Sequence, residues 1–382
     1  MFTEFLINFT TREPSCIMKA EFNYHLKIAQ SDYKKVMASI VDGVYLYGAG
    51  FIGRWAVDYL ERNGLPVLGF VDSNQEKWGK FINGKQVFSP SENCIFEAKT
   101  ILITSRHAVH AVKKSLSHLN AAIMSIDALV VIHSSKNQIE KITKLLEHDH
   151  KSIQTFYAVI SAMLSGSTRS LKPIANNKPF FDIFGFFNRN EEIFVDAGSY
   201  VGDSLERFIW SVNGVFRHIH AFEPGPLQFK ALKKRVERLR QEWALTEDSI
   251  SLINKGITSE NRIARIDNST NLIQTKVYDN DSFHNDSSIN IETTSLDSYF
   301  DGNNFTFLKV DIEGSESALL QGARKSINKF RPRIALSVYH YPTDIFDLPL
   351  QLNSLNTDYS FQLRHHSSQL MDTVLYAKDE NE

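Results

Sequence analysis

Short apolar runs alternate with amphipathic stretches in two separate parts of the chain. The first part contains four apolar runs that predict strands, at 44–48, 66–72, 100–105 and 122–127. Helical spacing separates several of these runs, over 53–64 and 107–119. Strands that alternate with helices favour a parallel sheet covered on both faces. Residues 44–133 are therefore predicted to form a small Rossmann-like domain.

The second part repeats the pattern from residue 192 onward. Five apolar runs predict parallel strands, at 193–197, 218–223, 251–257, 305–311 and 333–339. Helical runs at 226–243 and 316–330 lie between some of them. Two further runs near the end, 359–366 and 372–377, predict an antiparallel hairpin. The predicted fold class is α/β with two Rossmann-like units, the second made of five parallel strands plus a C-terminal hairpin.

Three segments do not fit either alternation. Residues 1–43 are predicted to form a helical leader, and 134–190 a helical connector of one or two helices. This leaves 191–382 as the second domain. Within it, the polar stretch 267–288 is predicted to be a surface excursion.

Composition and charge narrow the class of protein. The chain has 382 residues, 42% of them hydrophobic, and its net charge of −2 gives no sign of a nucleic-acid-binding surface. Cys16 and Cys94 are too few for a disulfide framework or a cysteine zinc site. No stretch approaches the roughly 18 apolar residues that cross a bilayer, and the start has no signal-peptide pattern. We expect a cytoplasmic protein with no membrane span and no nucleic-acid partner; a homo-oligomer stays open.

The turn in VDAGSYVGDS (195–204) has the features of a ligand-binding turn between a strand and a helix. Gly198 and Gly202 allow close approach of a ligand, and the helix that follows offers free N–H groups. The spacing differs from the G-x-G-x-x-G pattern of dinucleotide sites. Asp203 also stands where a pyrophosphate would bring negative charge. The acidic turn therefore favours the sulfonium of S-adenosylmethionine over NAD.

An acidic residue follows this turn at the distance expected for a ribose-binding group. Glu223 ends the next strand, roughly 20 residues beyond the glycine turn, where a carboxylate accepts ribose hydroxyls. The alternative is that Asp203 caps a helix and Glu223 is a solvated strand-end charge. The candidate cofactor-binding residues are Asp196, Gly198, Ser199, Gly202, Asp203, Glu223 and Asp311.

Charged residues crowd the end of the fourth strand, in FLKVDIEGSESALLQGA (307–323). An apolar strand has no need of an ionised Asp311 at its end, and ligands of open α/β sheets bind outside the carboxyl ends of strands. Glu316 is interpreted as a cap of the following helix, where a carboxylate is favourable. For Glu313 both interpretations stay open, a ligand-binding residue at the strand end and a cap of the following helix.

Several blocks of the second domain, taken together, resemble the FkbM family of S-adenosylmethionine-dependent methyltransferases. They are FVDAGSYVGDSLERF, HAFEPGPLQFKAL, TTSLDSYF, FLKVDIEGSESALLQGARKSI, PRIALSVYH and LRHHSSQLMDTVLYA. The resemblance covers about 190–378. It implies a class I methyltransferase sheet, S-adenosylmethionine as cofactor, and a role in surface-glycan or natural-product assembly. The family usually has Asn where this chain has Ser199-Tyr200.

Methyl transfer to a sugar hydroxyl requires a group that removes the proton of the acceptor. Asp311 and His340, at the ends of neighbouring strands, are the candidate catalytic residues. For His340 the alternative is a strand-end histidine satisfied by hydrogen bonds. A divalent metal on Asp311, Glu313 and His340 is a further alternative. No residues have dedicated metal-ligand spacing, so no metal is predicted.

The first domain opens with a glycine motif of its own. YGAGFIG (47–53) is G-x-G-x-x-G between a strand and a helix, with Gly48, Gly50 and Gly53 at its glycine positions and Asp72 ending the next strand. The continuation VLGFVDSNQEKWGKFINGKQVFSPSE is similar to domains of nucleotide-sugar-modifying acetyltransferases and sugar C-methyltransferases. In the acetyltransferases such a domain holds a UDP-sugar. Three roles stay open here: a sugar-nucleotide site, a structural or oligomerising domain, and a true dinucleotide site.

The sequence thus predicts a methyltransferase that acts on oxygen of a carbohydrate or nucleotide-linked sugar, with a small-molecule or glycan substrate. Methylation of nitrogen or carbon is the alternative among enzymes. The alternative of another class is a non-catalytic sensor or scaffold that binds sugar nucleotides.

Overall fold

Two compact units make up the chain in the computed structural model. The first takes the chain up to Ala175 with Tyr341–Phe346 and His365–Asp372, and the second takes the remainder. Residues before 14 and most of the predicted excursion 267–288 lie outside the described part. In the described part, no helix is both long and apolar enough to cross a bilayer. The described residues are 14–134, 136–176, 179–181, 191–267, 277–278, 288–356 and 358–380.

A six-stranded sheet forms the centre of the first unit. Its strands are β1 (Val44–Tyr47), β2 (Val67–Val71), β3 (Phe81–Ile82), β4 (Lys85–Phe88), β5 (Thr100–Ile103) and β6 (Ala122–Ser125). They lie in the order β3-β4-β2-β1-β5-β6, and only β3 and β4 pair antiparallel. The four predicted strands are present. The β3–β4 hairpin was missed, although Asn83 and Gly84 have φ values of +48° and +69°, as two-residue hairpin turns favour.

Helices surround this sheet and extend into the predicted connector. They are α1 (Pro14–Ser39), α2 (Phe51–Arg62), α3 (Asn93–Phe96), α4 (Val109–Ser115), α5 (Ile126–His133), α6 (Lys136–Leu145) and α7 (His150–Ser165). The connector contributes α6 and α7 to the first unit. The Asp149 carboxylate caps α7 by accepting from the Ser152 N–H, and the helix ends at Gly166 in the left-handed conformation. The Phe22 and Tyr157 rings join α1 to α7 with centroids 5.4 Å apart.

A seven-stranded sheet forms the centre of the second unit. Its strands are β7 (Ile193–Ala197), β8 (His218–Phe222), β9 (Ile250–Ile253), β14 (Phe307–Val310), β15 (Arg333–Ser337), β16 (Tyr359–His365) and β17 (Thr373–Asp379). Their order is β16-β17-β15-β14-β7-β8-β9. The first five are parallel, and β17 runs antiparallel to β15. Five parallel strands with a C-terminal hairpin at one edge confirm the predicted sheet.

A second, smaller sheet in this unit was not predicted. It consists of β10 (Gly256–Ile257), β11 (Arg262–Asp267), β12 (Val277–Tyr278) and β13 (Ser288–Thr294), in the order β10-β13-β11-β12. The predicted strand 251–257 is divided between the two sheets, because Asn254 and Lys255 interrupt it. Polar and charged residues in β11 and β13 weaken the apolar signal of these strands.

The core of the second unit is rich in aromatic rings. Phe194 of β7 stacks on Phe307 of β14 with centroids 5.0 Å apart, and on Phe208 at 4.3 Å. The single predicted helix over 316–330 is two helices that meet at Ala323. The helices of this half of the chain are α8 (Asp203–Ser211), α9 (Pro226–Glu242), α10 (Leu296–Phe300), α11 (Glu316–Gly322), α12 (Arg324–Phe330) and α13 (Asp344–Leu355).

Candidate functional site

The glycine turn after β7 lies against the end of β14. Gly198 has a φ of +83°, and a Cβ atom placed on it would lie 1.9 Å from the carbonyl oxygen of Asp311. The N–H of Gly198 also donates to the carbonyl of Phe222, the last residue of β8. Gly202 has a φ of +86°, and its Cβ would lie 2.8 Å from Leu232. The backbone contact therefore requires glycine at 198, and the left-handed φ favours it at 202.

A buried ion pair holds the turn from inside. Asp196 and Lys309 lie opposite each other on the parallel neighbours β7 and β14. The Lys309 ammonium is 3.0 Å from Oδ1 of Asp196 and donates to the Gly198 carbonyl at 2.6 Å. The Ser204 hydroxyl donates to Oδ2 of Asp196 at 2.6 Å. The Asp196 carboxylate is thus bound by groups of the protein itself.

The charges around Lys309 keep it protonated. Burial alone would lower the pKa of Lys309, but Asp196, and then Asp311 and Asp203, raise it above its ordinary value. Asp203 itself is exposed at the first residue of α8. Ser199 is fully buried, and its hydroxyl donates to the Asp196 carbonyl.

Glu223 lies directly after β8, and its side chain accepts from both neighbouring loops. Oε2 accepts from the Tyr200 N–H at 2.9 Å, and Oε1 accepts from the Gly225 N–H at 2.7 Å. The residue is only 4% exposed. Burial raises the pKa of Glu223 to about 7, although the two N–H groups and the charge of Lys309 oppose this shift.

Three carboxylates surround the imidazole of His340. Nδ1 is 3.0 Å from Oε1 of Glu316, and Nε2 is 3.5 Å from Oδ1 of Asp311 and 3.6 Å from Oε2 of Glu313. The Tyr339 hydroxyl donates to Oδ1 of Asp311 at 3.2 Å. His340 and Glu316 are buried, whereas the side chain of Asp311 is 27% exposed. Asp311 is therefore the acid of this group most open to a ligand.

The carboxylates control the charge of His340. Burial alone would lower the pKa of His340, but Glu316, and then Glu313 and Asp311, raise it to about 10. Burial in turn raises the pKa of Glu313 to about 7, against the attraction of His340. At neutral pH the metal-free cluster thus favours an imidazolium at His340.

Comparison with known proteins identifies the second unit. Residues 196–363 match the sequence model of the family described as Methyltransferase FkbM domain, and residues 41–126 match C2185-like, N-terminal. The crystal structure of methyltransferase FkbM from Methylobacillus flagellatus KT has a TM-score of 0.57 at 20% identity, covering 96% of this chain and 100% of that one. Residues 196–363 form an FkbM methyltransferase domain.

Other solved structures resemble only parts of the chain. An rRNA methylase from Streptococcus thermophilus gives a TM-score of 0.32 at 15% identity, covering 50% of this chain and 87% of that one. UDP-D-quinovosamine 4-dehydrogenase from Vibrio fischeri gives 0.20 at 22% identity, covering 24% of this chain and 86% of that one. No curated protein sequence matches the chain significantly.

The FkbM domain has the fold and family of S-adenosylmethionine-dependent methyltransferases, which confirms the predicted resemblance. The residues at its glycine turn suit this cofactor. Glu223 presents a buried carboxylate beside the turn, as binding of a ribose requires. The Lys309 cation is neutralised by Asp196 instead of facing a phosphate. The site therefore fits a nucleoside with a cationic sulfur better than a pyrophosphate.

Sequence reasoning missed two residues that organise the FkbM domain. Lys309 was not among the candidates, although a charged residue within an apolar strand signals a buried partner. Glu316 was interpreted only as a helix cap. Its carboxylate does accept from the Ile312 N–H, but it also lies 3.0 Å from His340. Of the residues that were predicted, Gly198 and Asp311 lie in direct backbone contact in the structure.

The first unit has its own glycine turn between β1 and α2. Gly48 has a φ of +115°, and Gly53 lies so close to it that an added Cβ would be 2.1 Å from the Gly48 carbonyl oxygen. A Cβ on Gly50 would meet no described atom within 4 Å. These are the tight turn, the close helix packing and the open approach that the three glycines of this motif provide.

Asp72 is occupied by donors of the first unit. Oδ2 accepts from the Ala49 N–H and from the Lys77 ammonium, each at 2.9 Å, and Oδ1 accepts from the Asn74 N–H at 2.9 Å. Although burial opposes it, these donors keep the pKa of Asp72 below its ordinary value. A ribose would have to share this carboxylate with three donors already present, which weighs against a ribose contact at Asp72 for any nucleotide bound at this turn.

Proposed function

We propose that this protein transfers the methyl group of S-adenosylmethionine to a hydroxyl oxygen of a carbohydrate or a nucleotide-linked sugar. The observation that carries the proposal is the contact of the glycine turn with the residue after β14. Gly198 approaches the Asp311 backbone so closely that no side chain fits between them. A carboxylate that can accept a proton thus lies beside the turn that would bind the cofactor.

Glu223 and the glycine turn would hold the cofactor. The Glu223 carboxylate already accepts hydrogen bonds from the N–H groups of Tyr200 and Gly225. Each of its oxygens keeps a lone pair that can accept a ribose hydroxyl. Gly198 and Gly202 let the turn pack closely against Asp311 and Leu232, because a side chain at either position would collide with these residues. Asp196 and Lys309 would position the turn rather than contact the cofactor, because they form a buried ion pair with each other.

Asp311 is assigned the removal of the acceptor proton. Bound S-adenosylmethionine would supply a methyl group on a sulfonium, so that a C–S bond would break as the O–C bond forms and the sulfur would become the neutral thioether of S-adenosylhomocysteine. The hydroxyl proton passes to the Asp311 carboxylate and then to solvent. The Tyr339 hydroxyl orients this carboxylate by donating to Oδ1.

His340 is better suited to hold charge than to accept the proton. The sequence predicted it as a second base, but its pKa of about 10 leaves the imidazole protonated at neutral pH. An imidazolium within ion-pair distance of Asp311, Glu313 and Glu316 would keep those carboxylates in place. The role of base is therefore assigned to Asp311.

The charge of the cluster supports an acceptor whose methylated ring is uncharged and carries hydroxyl groups. Half-buried carboxylates at Asp311 and Glu313 accept hydrogen bonds from hydroxyls and repel phosphates and carboxylates. This supports a sugar ring over a nucleic acid. It does not separate oxygen from nitrogen as the methylated atom, so methylation of nitrogen is the alternative outcome. For the first unit we propose a sugar-nucleotide site at Gly50, where a ligand can approach the turn.

Calorimetric titration with S-adenosylhomocysteine tests the proposal. We expect micromolar binding, weakened by roughly 1–3 kcal/mol in Glu223→Ala, the cost of hydrogen bonds to a charged group. Titration with UDP- and GDP-sugars follows on the same sample. Binding of a nucleotide sugar without any binding of S-adenosylhomocysteine would favour a non-catalytic sensor and overturn the enzyme.

A further inference from the structure

Negative charge is in excess around His340. Asp311, Glu313 and Glu316 all lie within 3.6 Å of its two ring nitrogens, and one imidazolium can balance only one of these three carboxylates. The nearest buried ammonium, on Lys309, is already paired with Asp196. Buried negative charge of this kind requires a proton or a cation to compensate it.

The donor atoms of three of these residues converge. Asp311, Glu316 and His340 each offer one ligand atom, and these atoms lie within 4.8 Å of one another. Ligand atoms around a first-row divalent metal, with bonds of about 2.1 Å, are about 3 to 4.2 Å apart. A small inward movement of the side chains is enough to bind an ion.

The histidine itself gives a second, independent indication. His340 is 4% exposed, yet within the described part of the chain nothing hydrogen-bonds to its Nε2 atom. A buried ring nitrogen of this kind is costly unless a ligand or a proton shared with the carboxylates satisfies it. The carboxylate oxygens of Asp311 and Glu313 that face Nε2 lie 3.5 and 3.6 Å from it, too far for a good hydrogen bond.

We propose that Asp311, Glu316 and His340 bind a divalent cation of the Mn²⁺ type. Two carboxylates and one imidazole, which releases its additional proton to solvent when the metal binds, are a donor set that suits manganese and its neighbours in the first transition row. Glu313 lies outside the converging set and contributes charge without direct coordination. The binding of the cation stands on this geometry alone, whereas its role rests on the proposed function.

In that role the cation would bind the acceptor hydroxyl as a Lewis acid and lower its pKa. Oδ1 of Asp311 faces His340 and would coordinate the metal, which leaves Oδ2 to accept the proton. The balance of the transfer is unchanged, because the C–S bond breaks, the O–C bond forms and one proton leaves the hydroxyl.

Direct titration with Mn²⁺ tests the site on the full chain after treatment with a chelator. Free Mn²⁺ is followed by electron paramagnetic resonance. We expect one ion per chain, with binding weakened at least about tenfold in Asp311→Asn, Glu316→Gln and His340→Asn, since loss of a ligand costs at least as much as loss of its supporting groups. The matched control is Glu313→Gln, which replaces a carboxylate of the same cluster outside the converging set and should weaken binding less than about threefold.

Two results would overturn the site: no binding of Mn²⁺ to the unaltered chain, or equal weakening by Glu313→Gln and the three ligand variants. Equal weakening would mean that the ion is held loosely by charge alone. Circular dichroism identifies variants that fail to fold, and Asp311→Asn carries the test if the two buried positions fail, because Asp311 is partly exposed.

The same preparations separate this proposal from the proposed function. Titration with S-adenosylhomocysteine in chelator reports the cofactor site without the metal. Cofactor binding without Mn²⁺ binding overturns the cation site alone, whereas Mn²⁺ binding without cofactor binding overturns the methyltransferase and leaves the cation site standing.

Discussion

The Lys309 ammonium lies 3.0 Å from the Asp196 carboxylate, and both side chains are buried in the sheet of the FkbM domain. The same ammonium donates to the Gly198 carbonyl at 2.6 Å. One cation of β14 thus connects the end of β7 to the glycine turn. The ion pair therefore helps to hold the turn, together with the hydrogen bond from the Gly198 N–H to the Phe222 carbonyl.

Replacement of Lys309 should destabilise the fold and loosen the turn. Lys309→Met leaves Asp196 buried without its counter-charge, which we expect to lower the free energy of unfolding by about 3–5 kcal/mol. The double variant with Asp196→Asn should recover part of this loss, because the unpaired charge is gone. Urea unfolding of the single and double variants measures both effects. Losses that simply add would contradict the coupling of the two residues.

The two glycine turns offer a matched pair of alanine substitutions. Gly198→Ala places a Cβ 1.9 Å from the Asp311 carbonyl oxygen at a φ of +83°, so we expect a loss of at least about 1–3 kcal/mol in unfolding free energy. Gly50→Ala meets no described atom within 4 Å and should change stability by less than about 0.5 kcal/mol. Chemical denaturation compares the two variants, and equal losses would contradict the close contact at Gly198.

The affinity for S-adenosylhomocysteine should depend on the ionisation of Glu223. Its pKa of about 7 lies above the ordinary 4.5, so the folded, ligand-free protein favours the protonated acid below pH 7 and the carboxylate above it. Stability from this group is therefore fully present below pH 4.5 and is lost as the pH rises through 7. The ionised form accepts hydroxyl hydrogen bonds better, so binding should weaken as the pH falls from 8 to 6.

Calorimetric titrations at pH 6, 7 and 8 measure this dependence. In Glu223→Gln the affinity should be weaker throughout and almost independent of pH, since the titrating group is gone. A dependence that persists in this variant would assign the effect to another residue.

The sequence could predict those parts of the site that follow from local spacing. The interval from Gly202 to Glu223 and the strand end at Asp311 led to the proposed cofactor crevice, because residues at the carboxyl ends of parallel strands meet at one edge of the sheet. The pairing of Lys309 with Asp196 could not be predicted in this way, because it depends on the register between β7 and β14. These strands are far apart in the sequence: Lys309 and Ala197, which are joined by a hydrogen bond, are separated by 112 residues.

Other features were hidden for different reasons. The charge state of His340 depends on Glu316, whose position at the start of α11 was fully explained by helix capping. The small sheet that contains β11 and β13 has weak apolar periodicity. The Asn83-Gly84 hairpin had a clear local signal that was missed.

Asp311→Asn should separate catalysis from cofactor binding. The amide keeps the shape of the side chain but cannot accept the acceptor proton, so we expect a loss of at least about a hundredfold in methyl transfer, while affinity for S-adenosylhomocysteine stays within about threefold. Transfer from labelled S-adenosylmethionine to a panel of UDP- and GDP-sugars measures the first quantity, and calorimetry the second. The exposed Asp248→Asn serves as control for loss of one carboxylate from the same domain. Unchanged transfer by Asp311→Asn would remove the base from the mechanism, and a parallel loss of cofactor affinity would make Asp311 a binding residue instead.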